Sequence, residues 1–312
     1  MTPAAAGGGS IRVRGPGLLT TVQDLGRHGL AHLGVPTAGA ADRRAFGLAN
    51  RLVGNPPEAA ALEVTVAGPE LELETGGWLA LTGGRVDADL DGRPVPMDVA
   101  VRAGPGQLLT VGTVTSGLRA YLAVRGGIAV EPVLGSRSTD TLAGIGPPPL
   151  REGTRLPLGE LVAGDPFQQV APTPPIDPEP LLGAVRGPRD DLFTDGALAT
   201  LIGTAWTVSP DSDRTGIRLD GPELARRREL ELASEGMVEG SLQVPPDGRP
   251  ILFLANHPTT GGYPVIAVVA GRDLPLAAQA RPGSRLRFRF VPAAAARDSG
   301  PGSIGPGLSG RM

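Results

Sequence analysis

The sequence predicts a mainly β chain in two parts, with a few short helices. Three observations predict it. Glycine (47) and proline (33) are abundant among the 312 residues, and both interrupt long helices. The apolar runs between them last roughly five to eight residues, the length of strands. The polar, proline-rich stretch from Ala171 to Pro180 reads as a stiff linker between two halves.

In the first half, strands are expected at Ser10–Arg14, Ala61–Ala67, Glu70–Glu74, Trp78–Thr82, Asp87–Leu90, Gln107–Val111 and Arg119–Val124. Asp91-Gly92 is a type I′ hairpin signal. One helix is expected from Ala38 to Val53, with Thr37 as N-cap, Phe46, Leu48, Ala49 and Leu52 on its apolar side, and Gly54 just past its end. The second half reads as a strand near Leu182–Arg186 and a short helix Thr194–Ile202. Strands follow near Trp206–Ser209, Thr215–Leu219, Gly240–Val244, Ile251–Ala255, Val265–Val269 and Arg285–Phe290, with a short helix from Asp273 to Ala280 between the last two. Met1 to Ser10 reads as a flexible leader without the pattern of a signal peptide, and 293–312 as a disordered tail. Two short echoes link the halves: Val13 to Pro16 recurs as Val185 to Pro188, and Gly68 to Leu71 as Gly221 to Leu224. Duplication of one barrel produces such echoes, and so does chance among common residues.

The composition excludes several chemistries. There is no cysteine, hence no disulfide, zinc–thiolate site, Fe–S cluster or thiol nucleophile. There is no lysine: all 29 basic Lys/Arg positions are arginine. A P-loop lysine, a Schiff-base lysine and a biotin-bearing lysine are therefore impossible on this chain. Three histidines, His28, His32 and His257, make a His-rich metal site unexpected, and no metal ligand set is assigned. The net charge of −3 argues against nucleic acid as a partner. No apolar run approaches the ~18 residues of a membrane span, so no membrane partner is expected and a cytoplasmic location fits.

Polar clusters stand out against this apolar background. Gln23, Asp24 and Arg27 lie close to glycines. Arg27 could offer a planar fork to a carboxylate or phosphate with Asp24 as orienting group or base, or the two could lock a turn. Ser136, Arg137, Ser138, Thr139 and Asp140 follow Gly135 and form either an anion cradle or a helix cap. In the second half are Ser212-Asp213-Arg214, Glu235, and the loop Asn256 to Pro264 with Thr260, Gly261, Gly262 and Tyr263. That loop could line a pocket or simply connect two strands, and His257 could be a base or a solvated loop residue.

These stretches resemble the second-subunit family of allophanate hydrolase, also called the biotin-dependent carboxyltransferase family, whose bacterial members include the KipA-type C subunit of 5-oxoprolinase. The residues that carry the resemblance are Thr20 to Gly29, Gly34 to Gly39 with Asp42 and Asn50, Leu62-Glu63, Arg119 to Val124, Val133 to Asp140, Ser212 to Arg214, Ser234 to Gly236, Gln243 to Pro245 and Thr259 to Pro264. The resemblance implies two cyclophilin-like β-barrel domains, here 10–170 and 181–292, joined by 171–180. It implies part of an enzyme that hydrolyses 5-oxoproline with ATP (and Mg). The other parts are a KipI-like partner of the allophanate hydrolase subunit 1 type and a third, lactam-utilisation-type partner. The KipI-like partner and this chain together are expected to activate the lactam by phosphorylation. The alternatives are a carboxyltransferase acting on urea or a related small amide, with biotin carried by another protein, and a regulatory partner of a kinase inhibitor.

The clusters and the resemblance together single out Asp24, Arg27, Arg137, Asp140, Asp213 and Arg214 for catalysis. Gln23, Asn50, Glu63, Ser136, Ser138, Thr139, Glu235, Gln243, Thr260, Gly261, Gly262 and Tyr263 are singled out for substrate binding. The chain departs from the family at Asn256, where an acid is expected, and at Thr215 and Ile217, where larger residues are expected.

Overall fold

In the computed structural model, residues 9–228 and 232–296 are described. The strands up to Leu161 form one large sheet. Its path runs Leu19–Gln23, Ala61–Thr65, Gln107–Val124, Glu70–Leu73, Ser10–Gly15, Arg155–Leu161, Gly126–Ile128. The last strand of this path comes back to the residue before Ala61–Thr65, next to the first, where Ile128 N–H donates to the Ala60 carbonyl at 2.8 Å, so the sheet curls almost into a barrel. The strands from Leu181 onward form a closed barrel. It closes where Leu181–Arg186 runs parallel to Arg285–Phe290.

Alternation explains the interiors. In Arg285–Phe290 (Arg-Leu-Arg-Phe-Arg-Phe), Leu286 and Phe288 are buried while Arg285 and Arg289 face water. Each such side chain contributes about 1.5–3 kcal/mol by leaving water. Ile11, Leu62, Leu71, Leu109 and Leu122 fill the first interior, and Leu182, Phe193, Trp206, Leu242, Ile266 and Phe288 fill the second.

Several expectations are corrected. The two strands expected at Trp78–Thr82 and Asp87–Leu90 are one, Gly77–Leu90, and the two expected at Gln107–Val111 and Arg119–Val124 are one, Gln107–Val124. Register shifts around Gly83 and Arg85 let the long pair bend without breaking. Its tip has the expected turn, with Asp91 at φ 51° and Gly92 at φ 76°. Leu19–Gln23, Gly126–Ile128 and Arg155–Leu161 are strands that apolar runs did not reveal.

The first helix starts at Arg43, not Ala38. Ala38 and Gly39 have φ of 54° and 94°, which no right-handed helix accepts. The N-cap is Asp42 rather than Thr37: its Oδ1 accepts the N–H of Arg44 (3.1 Å) and Ala45 (3.0 Å). The connector 171–180 carries no strand or helix, but it is fastened along the first sheet. Ala171 N–H donates to the Asp98 carbonyl at 2.7 Å, and the Thr173 hydroxyl donates to the Asp98 carboxylate at 2.7 Å. Of the expected tail, Ala293–Ala296 is a short helix and 297–312 lies outside the described residues, as does 1–8 of the leader.

Where the two halves meet, one carboxylate organises the contact. Glu63, on Ala61–Thr65, is fully buried. Its Oε2 accepts from Ala41 N–H (3.0 Å) and the Tyr121 hydroxyl (2.8 Å). Its Oε1 takes Nη1 of Arg214, from the second half, and faces Nε of Arg119 at 3.5 Å. Burial alone would raise the Glu63 carboxyl, but the charges of Arg214 and Arg119 outweigh it and hold the pKa below the ordinary value. Burial, together with the Glu63 and Asp42 charges, pushes the Tyr121 phenol well up. A second strap runs through Gln279 of the second half. Its amide N–H groups donate to Asp42 Oδ2 (2.7 Å) and the Arg119 carbonyl (2.9 Å), and its carbonyl oxygen accepts from Leu118 and Arg119 N–H.

Glu63→Gln removes the counter-charge of two buried guanidiniums and should lower the unfolding free energy by about 3 kcal/mol, read as a lower urea midpoint at unchanged m-value. Glu74, which accepts from Ser10, Arg155 and Arg12, has its pKa lowered from 4.5 to about 2. A depressed carboxylate stabilises the fold above its unfolded pKa, so stability should fall progressively from pH 4.5 towards about 2. Glu74→Gln should flatten that part of a thermal-melt pH series.

Candidate functional site

The chain leaves Leu19–Gln23 directly into the Asp24 loop, and the loop after Gly126–Ile128 folds across it. Asp24 binds the two together. Its Oδ1 accepts from Gly26 N–H (2.8 Å) and from the hydroxyls of Ser136 (2.6 Å) and Ser138 (2.5 Å), and its Oδ2 accepts from Arg137 N–H (2.6 Å). Gln23 donates to the Thr21 hydroxyl and the Thr139 carbonyl. Arg27, 2% exposed, donates Nε to the Val133 carbonyl (3.0 Å) and Nη2 to the Ser138 carbonyl (2.5 Å). Burial lowers its pKa, against the opposing charges of Asp24 and Asp140. The Arg137 side chain donates to the Val130 carbonyl at 2.8 Å. So Gln23, Asp24, Arg27, Ser136, Arg137, Ser138 and Thr139 do come together, with most of their polar atoms directed at one another.

Asp140 extends this cluster to the other half. Its Oδ1 accepts Leu142 N–H (2.9 Å), Ala143 N–H (3.0 Å) and, more distantly, Asn256 Nδ2 (3.3 Å). The Asn256 carbonyl oxygen accepts from Arg214 Nη2 at 3.2 Å, and the same nitrogen reaches the Gly39 carbonyl at 2.5 Å. The asparagine at this position thus has a physical role: its amide donates to one charged partner and accepts from the other. An acid there would face Asp140 across 3.3 Å. The line Glu63–Arg214–Asn256–Asp140 spans the junction. Among the described residues, six buried atoms along it and beside it, Gln23 Oε1, Arg27 Nη1, Arg119 Nε, Thr139 Oγ1, Asp140 Oδ2 and Arg214 Nε, have no protein hydrogen-bond partner.

A cavity of ≈290 Å³ opens at the same junction. His28, Thr37 and Arg43 line it from the first half, and Glu239, His257 and Thr259 from the second; the rest of the wall is apolar. His28 and His257 directly follow Arg27 and Asn256 in the chain. His28 Nε2 lies 2.9 Å from the Leu25 carbonyl, and His257 Nδ1 lies 2.8 Å from the Pro258 carbonyl. A carbonyl only accepts, so those nitrogens carry the protons, and neutral rings keep His28 Nδ1 and His257 Nε2 as acceptors. A larger groove, ≈640 Å³, follows the long hairpin of the first half alone.

Other expected residues sit apart. Asn50 is buried behind the first helix, donating to the Ala59 carbonyl (2.8 Å) and accepting from Asn55 (3.0 Å). Asp213 is exposed and closes a turn onto Thr215 N–H (2.7 Å) and Gly216 N–H (3.2 Å). Glu235 pairs with Arg189, which lowers the carboxyl's pKa. Glu235–Gly236 pairs with Thr260–Gly261, and Gln243 donates to the Tyr263 carbonyl at 3.1 Å. Gly262 and Tyr263 are exposed. This second-half group shares no hydrogen bond with Glu63 or Arg214 among the described residues. None of its expected residues lines the cavity, but their chain neighbours Met237, Val238 and Thr259 do.

Sequence reasoning missed Arg43, Glu239, Tyr121 and Gln279. The signal for Tyr121 existed: a tyrosine two residues after an arginine in an otherwise apolar strand shares its face, and the register sets Tyr121 opposite Glu63. No local signal marks Arg43, Glu239 or Gln279.

Size and donors decide which of the implied groups suit the cavity. The cavity of ≈290 Å³ presents one guanidinium, Arg43, to an anion. No group of three His, Cys, Asp or Glu able to hold a metal ion occurs among the described residues. A small amide does fit: the walls offer acceptors for N–H and hydroxyls for C=O.

A family model described as carboxyltransferase domain, subdomain A and B, matches residues 33–290. The chain is 38% identical over 281 residues to the C subunit of 5-oxoprolinase from Escherichia coli, covering 89% of this chain and 90% of that protein. It is 32% identical over 307 residues to urea amidolyase of Saccharomyces cerevisiae, covering 89% of this chain and 16% of that protein. The crystal structure of K. lactis urea amidolyase superposes with a TM-score of 0.87 at 32% identity over 94% of this chain and 19% of that one. The match spans both halves and the junction between them, so the chain belongs to the carboxyltransferase-domain family.

Proposed function

We propose that this chain is the C-type subunit of an ATP-dependent 5-oxoprolinase and that the junction cavity holds the lactam. One observation carries this reading. The identity to the C subunit of the Escherichia coli 5-oxoprolinase extends over 90% of that protein, whereas urea amidolyase is matched over 16% of its length. In the cavity the ring N–H meets an imidazole acceptor, His257 Nε2 or His28 Nδ1. The ring carbonyl meets the Thr37 and Thr259 hydroxyls. Donors placed at that oxygen stabilise the negative charge that develops there when the carbonyl carbon is attacked. The Asp24 cluster and the Glu63–Arg214 pair hold the walls in position.

One guanidinium is thin cationic cover for a triphosphate, and this reading places the nucleotide contacts on other subunits. A KipI-like partner and a lactam-utilisation-type partner complete the enzyme. Among the described residues no helix is long and apolar enough to cross a membrane, and a cytoplasmic assembly accords with this chemistry. The structural likeness to urea amidolyase favours a second reading, carboxyl transfer to urea or a related amide. Without lysine, the chain would receive biotin on another polypeptide.

The test is reconstitution. The chain with both partners, ATP and 5-oxoproline should release glutamate and ADP in equal amounts, and omission of this chain should abolish release. Biotin-dependent carboxylation of urea in place of glutamate release would support the second reading. Tight partner binding without either turnover would leave a regulatory role.

A further inference from the structure

Arg43 differs from the other buried or half-buried guanidiniums of the junction. Arg27 and Arg119 are held by backbone carbonyls, and Arg214 by Glu63, Asn256 and a carbonyl. Arg43 makes one hydrogen bond among the described residues, from Nη2 to Glu239 Oε2 at 3.0 Å. Its side chain is 43% exposed and that of Glu239 17%, so the pair sits at the mouth of the cavity both residues line. A solvated ion pair of this kind has little net strength, and another carboxylate can replace Glu239 at small cost. The pair also uses one contact of a fork built for two. The backbone beneath Arg43 is rigid, because it opens the helix that Asp42 caps and Gln279 ties to the second half.

We propose that Arg43 is the receptor for the carboxylate of an anionic substrate, and that Glu239 is its stand-in, holding the guanidinium in place until the ligand displaces it. The proposal rests on the lactam reading, and it adds the group that separates substrates. A lactam bearing a carboxylate engages Arg43; an uncharged amide leaves the Arg43–Glu239 pair intact. Glu239, released at the mouth, returns to water.

The experiment uses the reconstituted complex with R43Q, R43K and E239Q, in steady-state assays on 5-oxoproline. Calorimetric titration adds 5-oxoproline and 2-pyrrolidone, the same ring without the carboxylate. R43Q should raise KM for 5-oxoproline about tenfold or more with kcat within about threefold, and R43K should recover part of the loss. E239Q should lower KM by removing the competitor, an effect in the opposite direction that a damaged fold would not produce. Affinity for 2-pyrrolidone should stay level in all variants. An active complex whose KM ignores both R43Q and E239Q overturns the receptor and leaves the oxoprolinase reading standing. Parallel loss of 5-oxoproline and 2-pyrrolidone affinity also overturns it. A complex that binds 5-oxoproline through Arg43 but never opens the ring upholds the receptor and defeats the oxoprolinase reading.

Discussion

The Glu63 carboxylate between Arg119 and Arg214 is the constraint on which the junction depends. A buried charge without compensation costs several kcal/mol, so each guanidinium requires the Glu63 carboxylate and the carboxylate requires them. Arg119 stands on the strand beside Glu63, but Arg214 belongs to the other half. The pairing therefore sets how the closed barrel seats on the first sheet. It also sets the loop through Gly39 and Ala41, since the Gly39 carbonyl and the Ala41 N–H are held by Arg214 and Glu63. That loop and the helix after it supply one wall of the cavity. Shape at the candidate site is thus a consequence of charge compensation beneath it.

Polar residues at the junction divide by how far they are satisfied. Asp24 accepts from a glycine N–H, two serine hydroxyls and an arginine N–H. A carboxylate so fully hydrogen-bonded ties the two loops together. Arg27 is less complete, with carbonyls on two of its nitrogens and, among the described residues, no protein partner for Nη1. At the cavity the balance differs. The two imidazoles each have one nitrogen bonded to a carbonyl, and Arg43 has one side-chain partner among the described residues.

The β-rich fold in two parts was legible because it rests on local signals. Alternation in Arg285–Phe290 places leucine and phenylalanine inside, and Asp91-Gly92 adopts the left-handed pair its residue types favour. Strand lengths were not legible. The strands expected at Trp78–Thr82 and Asp87–Leu90 are one, because the partner strand supplies hydrogen bonds on both sides of Gly83 and Gly84 through a bulged pairing. The helix start misled for a similar reason. Thr37 is a competent cap, but the chain at Ala38 and Gly39 is forced left-handed where it crosses the Asp24 loop; a Cβ on Gly39 would lie 3.0 Å from Gly26 N. A tertiary crossing overrode a local preference.

The amino-acid sequence by itself determined which chemistries are closed to this protein, where most strands and turns fall, and that acids, arginines and hydroxyls recur in compact clusters. Those properties depend on residue type and near neighbours. Only the tertiary structure decided which clusters share a site. It joined Glu63 to Arg214 across 151 positions, left Asn50 and Asp213 to near neighbours in the chain and Glu235 to Arg189 in its own half, and brought Arg43 to Glu239 across 196. Pairings at such separation come from the packing of one half on the other, and no local pattern in the chain encodes them.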